Sequence, residues 1–183
     1  SSAASDVYKR QEPAYSRFFS VAPDGALARE IKEALEPLLA TNAEVFEDNE
    51  FKVLRDYISH NPTKTKYTPL NYSTSRMDGK EPSVFIADEV GALPTSYPVE
   101  AMRSGQLLIK NKLGFIISTK YPTADNPLED EVDNAKKILD GLIDDESVFA
   151  LLYEPDNTKD WATDDDILAH GNPLALELPD VWD

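Results

Sequence analysis

The chain has 183 residues, 41% of them hydrophobic, no cysteine and a formal net charge of −16. That suits one ordinary domain with a sizeable core, expected to be soluble and intracellular, and excludes a disulfide framework, thiolate metal sites and any run long enough to span a membrane. The acid excess argues against a broad nucleic-acid-binding surface, which needs clustered Lys and Arg.

In chain order, Ser1–Gln11 (SSAASDVYKRQ) comes first. It can be encoded by a run resembling a transposase adapter used in preparing sequencing libraries. It is therefore set apart from the fold as an adapter-derived or poorly ordered tail, residues 1–11. The gene fragment is then expected to have been cut just before Glu12, so that an upstream motif missing here says nothing about the parent protein.

Tyr15–Ala22 (YSRFFSVA) is aromatic and β-branched, is stopped by Pro23-Asp24-Gly25, and predicts a strand and turn. Leu27, Ile31, Ala34, Leu35, Leu38 and Leu39 then fall at helical spacing, with Pro37 expected to kink that helix or mark its last turn. Glu50–Ser59 has β-type residues in partial alternation. A turn-rich stretch follows, with Pro62, Pro69 and Asp78-Gly79 and one short strand near Tyr67–Tyr72.

Pro82 introduces Ser83–Ala87, a continuous apolar run of the kind that suits a strand buried on both faces. After Asp88-Glu89 come a turn with Gly91 and Pro94 and a helix from about Pro98 to Ser104. Lys112–Thr119 (KLGFIIST) is a second apolar strand ending in hydroxyl residues. Leu128–Leu142 predicts an acidic amphipathic helix, and Val148–Tyr153 (VFALLY) a third apolar strand. The tail holds Trp161, an acidic helix start at Thr163–Asp166, and Asn172-Pro173. The acid runs Asp125–Asp133, Asp144–Glu146 and Asp164–Asp166 read as solvated faces and helix-start charges. Strand and helix alternate, which predicts an α/β domain with a largely parallel sheet and flanking helices.

In such a sheet, ligands bind beyond the carboxyl ends of the strands. Two predicted strands end there in reactive groups, Asp88-Glu89 and Ser118-Thr119. Phosphoryl transfer needs a carboxylate to help hold Mg²⁺ and a group to position the attacking water. Adjacent Asp and Glu can divide those tasks, because neighbouring side chains leave a strand in different directions. Asp88 would support the ion, Glu89 would polarise the water, and Ser118 and Thr119 would report the γ-phosphate state by hydrogen bonding. Turn chemistry after an apolar strand explains the same two acids. Paired carboxylates for glycoside hydrolysis are a further reading, although adjacency does not set their separation across a substrate. His60 and His170 stand in no metal-ligand spacing and have no nucleophile partner; both are expected on the surface or in turns.

The order of these segments resembles one family. Met77-Asp78-Gly79-Lys80-Glu81-Pro82-Ser83 leading into Val84-Phe85-Ile86-Ala87-Asp88-Glu89 resembles the approach to, and the whole of, the Walker B strand of the large terminase subunit of tailed bacteriophages. The helix around Ala101-Met102-Arg103-Ser104-Gly105 and the strand Gly114–Thr119 are similar to that family's next helix and coupling strand. Ile138–Gly141, Phe149–Glu154, Trp161 and Asn172-Pro173 continue the likeness in the same order, so that it covers about Ser16 to Asp183.

The resemblance implies a P-loop NTPase-like sheet, incomplete at the N-terminus, in which residues 12–183 are a partial terminase ATPase domain. It implies a motor that hydrolyses ATP with Mg²⁺ to drive viral double-stranded DNA into a procapsid. Its partners would be the small terminase subunit, the portal and further copies in a homo-oligomeric ring, in the bacterial host cytoplasm and without a membrane. Asp88 would be the Mg²⁺-supporting carboxylate, Glu89 the catalytic glutamate, and Ser118 and Thr119 part of the motif coupling hydrolysis to movement. The family's glycine-rich Walker A loop should precede Tyr15, and nothing in the 183 residues resembles it. The nuclease domain's carboxylates should lie beyond Asp183. Where the family's coupling motif is rich in Thr, Ala and Gly, this chain has Ser118-Thr119-Lys120-Tyr121-Pro122.

Without a phosphate loop the chain alone is expected to lack useful ATPase activity. Its sheet is expected to show exposed edges and to fold less well, because the strand before that loop would occupy the centre. Two other functions are open: another P-loop DNA translocase or helicase, and a non-enzymatic acidic protein that occupies a basic partner surface through its charge.

Overall fold

The computed structural model describes residues 14–46, 48, 50–72, 76–123, 125–155 and 165–177. The N-terminal tail 1–11 and Trp161 lie outside them. Two compact units part between Asp130 and Glu131.

In the first unit, the run around Tyr15–Ala22 gives strand β1 (Arg17–Ala22), and the turn after it starts helix α1 (Gly25–Thr41). The Asp24 carboxylate accepts the amides of Ala26 (2.7 Å) and Leu27 (3.0 Å), two of the donors that a helix start leaves unpaired. Pro37 does not stop the helix, which runs on to Thr41. The apolar face lies slightly off its expected line. Ala28 and Lys32 are buried, while Leu38 is exposed. Lys32 can be buried because its aliphatic stem packs and its ammonium pairs with Glu36 one turn on.

Glu50–Ser59 divides into two strands, β2 (Phe51–Val53) and β3 (Ile58–His60), paired antiparallel. His60 is thereby the last residue of a strand and not a turn residue, with its side chain 22% exposed. Its Nδ1 meets Thr63 Oγ1 at 2.7 Å, its Nε2 meets Glu50 Oε1 at 2.9 Å, and its ring lies against Phe51. Strand β4 (Thr65–Asn71) is longer than the short strand expected near Tyr67. Pro69 is tolerated in it because β3 pairs only as far as Tyr67, so β4 has a partner on one side alone at that point.

Strands β5 (Val84–Asp88) and β6 (Leu113–Ile117) flank helix α2 (Tyr97–Gly105). The sheet order is β2-β3-β4-β1-β5-β6, with β4, β1, β5 and β6 all parallel. This is the largely parallel sheet with flanking helices that the alternating elements predict. One face carries the core: Phe19, Val21, Leu70, Phe85 and Ala87, closed over by Met77, Val90, Leu93, Val99 and Met102. Gly114 lies beside Phe85, where any Cβ would come within 2.7 Å of the ring. The buried Gln106 amide ties the end of α2 to β6 by donating to Leu113 O at 2.9 Å. On the opposite face α1 packs over β1 and β4, where Ser20 Oγ donates to Ala28 O (3.1 Å) and shares a 2.7 Å hydrogen bond with Tyr67 Oη. Helix α3 (Pro127–Leu139) begins in this unit.

In the second unit, Lys136 pairs with Glu154 (2.9 Å), and Lys137 with Asp133 (3.0 Å). Two short helices follow, α4 (Asp165–Gly171) and α5 (Leu174–Glu177). Val148–Tyr153 is not a strand, contrary to expectation. Phe149, Leu151 and Tyr153 are exposed. An apolar run becomes a strand only where a neighbour offers unpaired N–H and C=O groups, and no described strand pairs with this one. No described helix is long and apolar enough to cross a membrane.

Candidate functional site

The register between β5 and β6 builds the site. Ala87 lies opposite Ile116 and Asp88 opposite Ile117, so Glu89 and Ser118 leave the sheet side by side. All four expected residues, Asp88, Glu89, Ser118 and Thr119, therefore stand at the carboxyl ends of two adjacent parallel strands. That is where an open α/β sheet holds its ligands.

The chain turns sharply at this end. Glu89 has φ 51° and ψ 46°, a left-handed conformation uncommon for a residue with a side chain. Its N–H donates to Asp88 Oδ1 at 3.0 Å, which fixes the first carboxylate against the turn. A short 3₁₀ turn, Val90–Ala92, follows with Val90 and Gly91 buried. The Gly91 N–H donates to Ser118 Oγ (3.0 Å), and the Ser118 hydroxyl donates to Thr119 O (3.0 Å). Ser118 thus links the two strand ends, while Thr119 is exposed.

Tyr121 is the member of this cluster that the sequence reading does not single out. Its hydroxyl donates to Glu89 Oε2 at 2.8 Å. The phenol is pushed above its ordinary value by that hydrogen bond first, then by desolvation and by the carboxylate's charge. Its ring lies over Gly91, where a Cβ would approach Tyr121 Cδ2 to 2.5 Å. The signal available in the sequence was a phenol shortly after the hydroxyl pair, next to a proline, on a loop that must return past the first strand end.

Neither histidine takes part: His60 is in the β2–β3 hairpin and His170 is on α4. Among the described residues no group of three or more His, Asp or Glu side chains forms a metal cage.

The structure is similar to the large terminase of bacteriophage HK97, with a TM-score of 0.73 and 18% identity over 90% of this chain and 34% of that one. It also resembles the large terminase ATPase domain of Thermus phage P74-26, with a TM-score of 0.51 and 20% identity over 66% of this chain and 53% of that one. The chain thus spans about a third of the HK97 protein and about half of the P74-26 domain. No curated protein matches it in sequence. Residues 27–137 match the family described as terminase large subunit, ATPase domain. The chain belongs to the ATPase-domain family of the terminase large subunit.

Proposed function

We propose that residues 12–183 are part of the ATPase domain of a terminase large subunit, the motor that hydrolyses ATP to move viral DNA into a procapsid. The observation that carries this is the side-by-side exit of Asp88-Glu89 and Ser118-Thr119 from neighbouring parallel strands, in a chain of this family. The glycine-rich phosphate loop and the nuclease carboxylates would come from other segments of the subunit. The working assembly would be a homo-oligomeric ring with viral double-stranded DNA, the small terminase subunit and the portal, in the cytoplasm of the bacterial host.

Within the site, Asp88 is suited to support Mg²⁺. The Glu89 amide fixes one of its oxygens, and Mg²⁺ needs only one or two protein carboxylates when phosphates and water supply the rest. When bound, the ion neutralises charge on the nucleotide's phosphate oxygens. Glu89 orients and polarises the attacking water. Its Oε2 is taken by Tyr121, and among the described residues no protein group engages Oε1, which is left to face the water. Ser118 and Thr119 couple the nucleotide state to movement: Ser118 is bonded to the turn that carries Glu89, so a shift of one strand end displaces the other.

The test is Glu89→Gln in the intact large subunit. ATP turnover should fall by about 10²- to 10⁴-fold, the scale of a lost general base, while ATP binding persists. Turnover at the wild-type rate overturns the role of Glu89. The 183-residue chain alone should show no turnover, and activity there that disappears in Glu89→Gln would refute the need for a loop from elsewhere.

A further inference from the structure

We propose that Tyr121 is the positioning residue for Glu89, clamping its carboxylate in the orientation from which it can address a water. This inference rests on Glu89 having the role proposed above.

Three features converge on it. First, Glu89 occupies a left-handed backbone conformation, which takes the chain off the extended path of β5 and costs energy that surrounding contacts must offset. Second, the Tyr121 hydroxyl donates to one carboxylate oxygen only, Oε2, at 2.8 Å. A glutamate has three side-chain torsions, and at this half-buried position it would otherwise sample several rotamers. One charge-assisted hydrogen bond removes that freedom beforehand and leaves the second oxygen for the reaction. Third, the ring has a prepared seat. Gly91 lies under it, and a side chain there would collide with Cδ2 at 2.5 Å. The same turn is bonded to Ser118 through the Gly91 amide. Loop 118–121 thus grips turn 89–91 at two points, one on the backbone and one on the carboxylate.

A phenol suits this task better than a lysine would. It holds the carboxylate by a directional bond while adding no positive charge that would compete with a cation at Asp88. The hydrogen bond to Glu89 first, then desolvation and the carboxylate's charge, favour the neutral, donating form of Tyr121.

The decisive variant is Tyr121→Phe, which keeps the ring over Gly91 and removes only the donor. In the intact large subunit it should lower kcat for ATP about 10- to 100-fold, the scale of a misaligned reacting group, with KM for ATP unchanged. Glu89→Gln in the same subunit serves as reference. If Glu89→Gln abolishes turnover and Tyr121→Phe matches or exceeds the wild type, or changes KM alone, the positioning role is overturned and the role of Glu89 stands. If Glu89→Gln leaves turnover intact, the role of Glu89 falls and the clamp with it. A second measurement needs no turnover. In the intact large subunit with ring-¹³C tyrosine, the Tyr121 Cζ resonance, identified by its loss in Tyr121→Phe, should move at neutral pH on Glu89→Gln. A resonance that does not move overturns the clamp.

Discussion

One face of the sheet shows two different fates for similar strands. Over β1 and β4 it carries α1, and Ser20 and Tyr67 are buried beneath that helix in a shared hydrogen-bond network. Over β5 and β6 no helix among the described residues covers the same face in this way. Val84 and Ile86 are half-buried, and Leu113, Phe115 and Ile117 are 50%, 46% and 56% exposed. The bare pair, β5 (VFIAD) and β6 (LGFII), is more apolar than the covered pair, β1 (RFFSVA) and β4 (TKYTPLN), so composition does not decide the outcome; the covering helix does. By strand alternation Asp88 belongs to the bare half, in line with Ile86 and opposite Ile117. The candidate site therefore lies where cover ends and a ligand can approach the strand ends.

The sharpest test of this contrast is the opposite face, where β5 and β6 both meet the core. Phe85 is 1% exposed and lies against Gly114. Phe85→Ala should lower stability by about 3–5 kcal/mol, the cost of truncating a buried aromatic and leaving a cavity. Urea denaturation measures it. A loss near 1 kcal/mol would mean that the core face of β5 is no better packed than its bare face.

That asymmetry also explains what the sequence made legible. The helices and strands of the first unit follow from periodicity and punctuation: Pro23-Asp24-Gly25 closes β1 and starts α1, and Pro82 opens β5. Val84–Asp88 and Leu113–Ile117 read correctly as strands, because apolar runs between turn signals leave little else. Burial was not legible, since KLGFIIST gives no sign that one of its faces lacks a partner. For the same reason VFALLY was misread: a strand needs a neighbour, and a sequence run does not carry one. Asp88, Glu89, Ser118 and Thr119 stand out in the sequence because each pair closes an apolar run, and the β5–β6 register sets the two pairs side by side. Tyr121 does not stand out, because its partner lies 32 residues back and is brought near only by that register. The partners of His60 are not legible, because its contact with Glu50 exists only once the β2–β3 hairpin closes.

The seat of Tyr121 gives a middle-sized effect. Gly91→Ala places a methyl 2.5 Å from a ring carbon, so the ring or the turn must move. Overpacking of this kind costs about 1–3 kcal/mol, and the displaced hydroxyl should lose Glu89. Thermal melting would register the first effect, and the Tyr121 Cζ resonance the second. An unchanged resonance would mean that the ring is not held by its fit to the glycine.

The covered half predicts a pH effect of its own. Burial raises the Tyr67 phenol above its ordinary value of 10.0, partly offset by its hydrogen bond with Ser20. The folded state thus holds the phenol proton more tightly than the unfolded chain. This contribution is fully present below the unfolded value and is lost as pH rises through the folded one. Tyr67→Phe should cost about 1 kcal/mol near neutrality through the lost hydrogen bond, and should flatten the fall in stability above pH 10. If the alkaline limb of the wild type persists unchanged in the variant, Tyr67 is not the group that α1 keeps from ionising.

The smallest effect belongs to the bare half. Phe115 sits opposite Ile86 on the uncovered face and keeps nearly half of its surface in water. Truncation to Ala removes contacts that are already incomplete and opens no enclosed cavity. The surrounding side chains can close over the gap, and water can enter it. Phe115→Ala should therefore cost about 1 kcal/mol or less, against several for Phe85→Ala one position away in register, since Phe85 pairs with Gly114 on the other face. The two variants, unfolded in urea side by side, compare the two faces of adjoining strands at equal chemistry. A Phe115→Ala loss as large as that of Phe85→Ala would require cover over β5 and β6, and the border on which the site is placed would no longer exist.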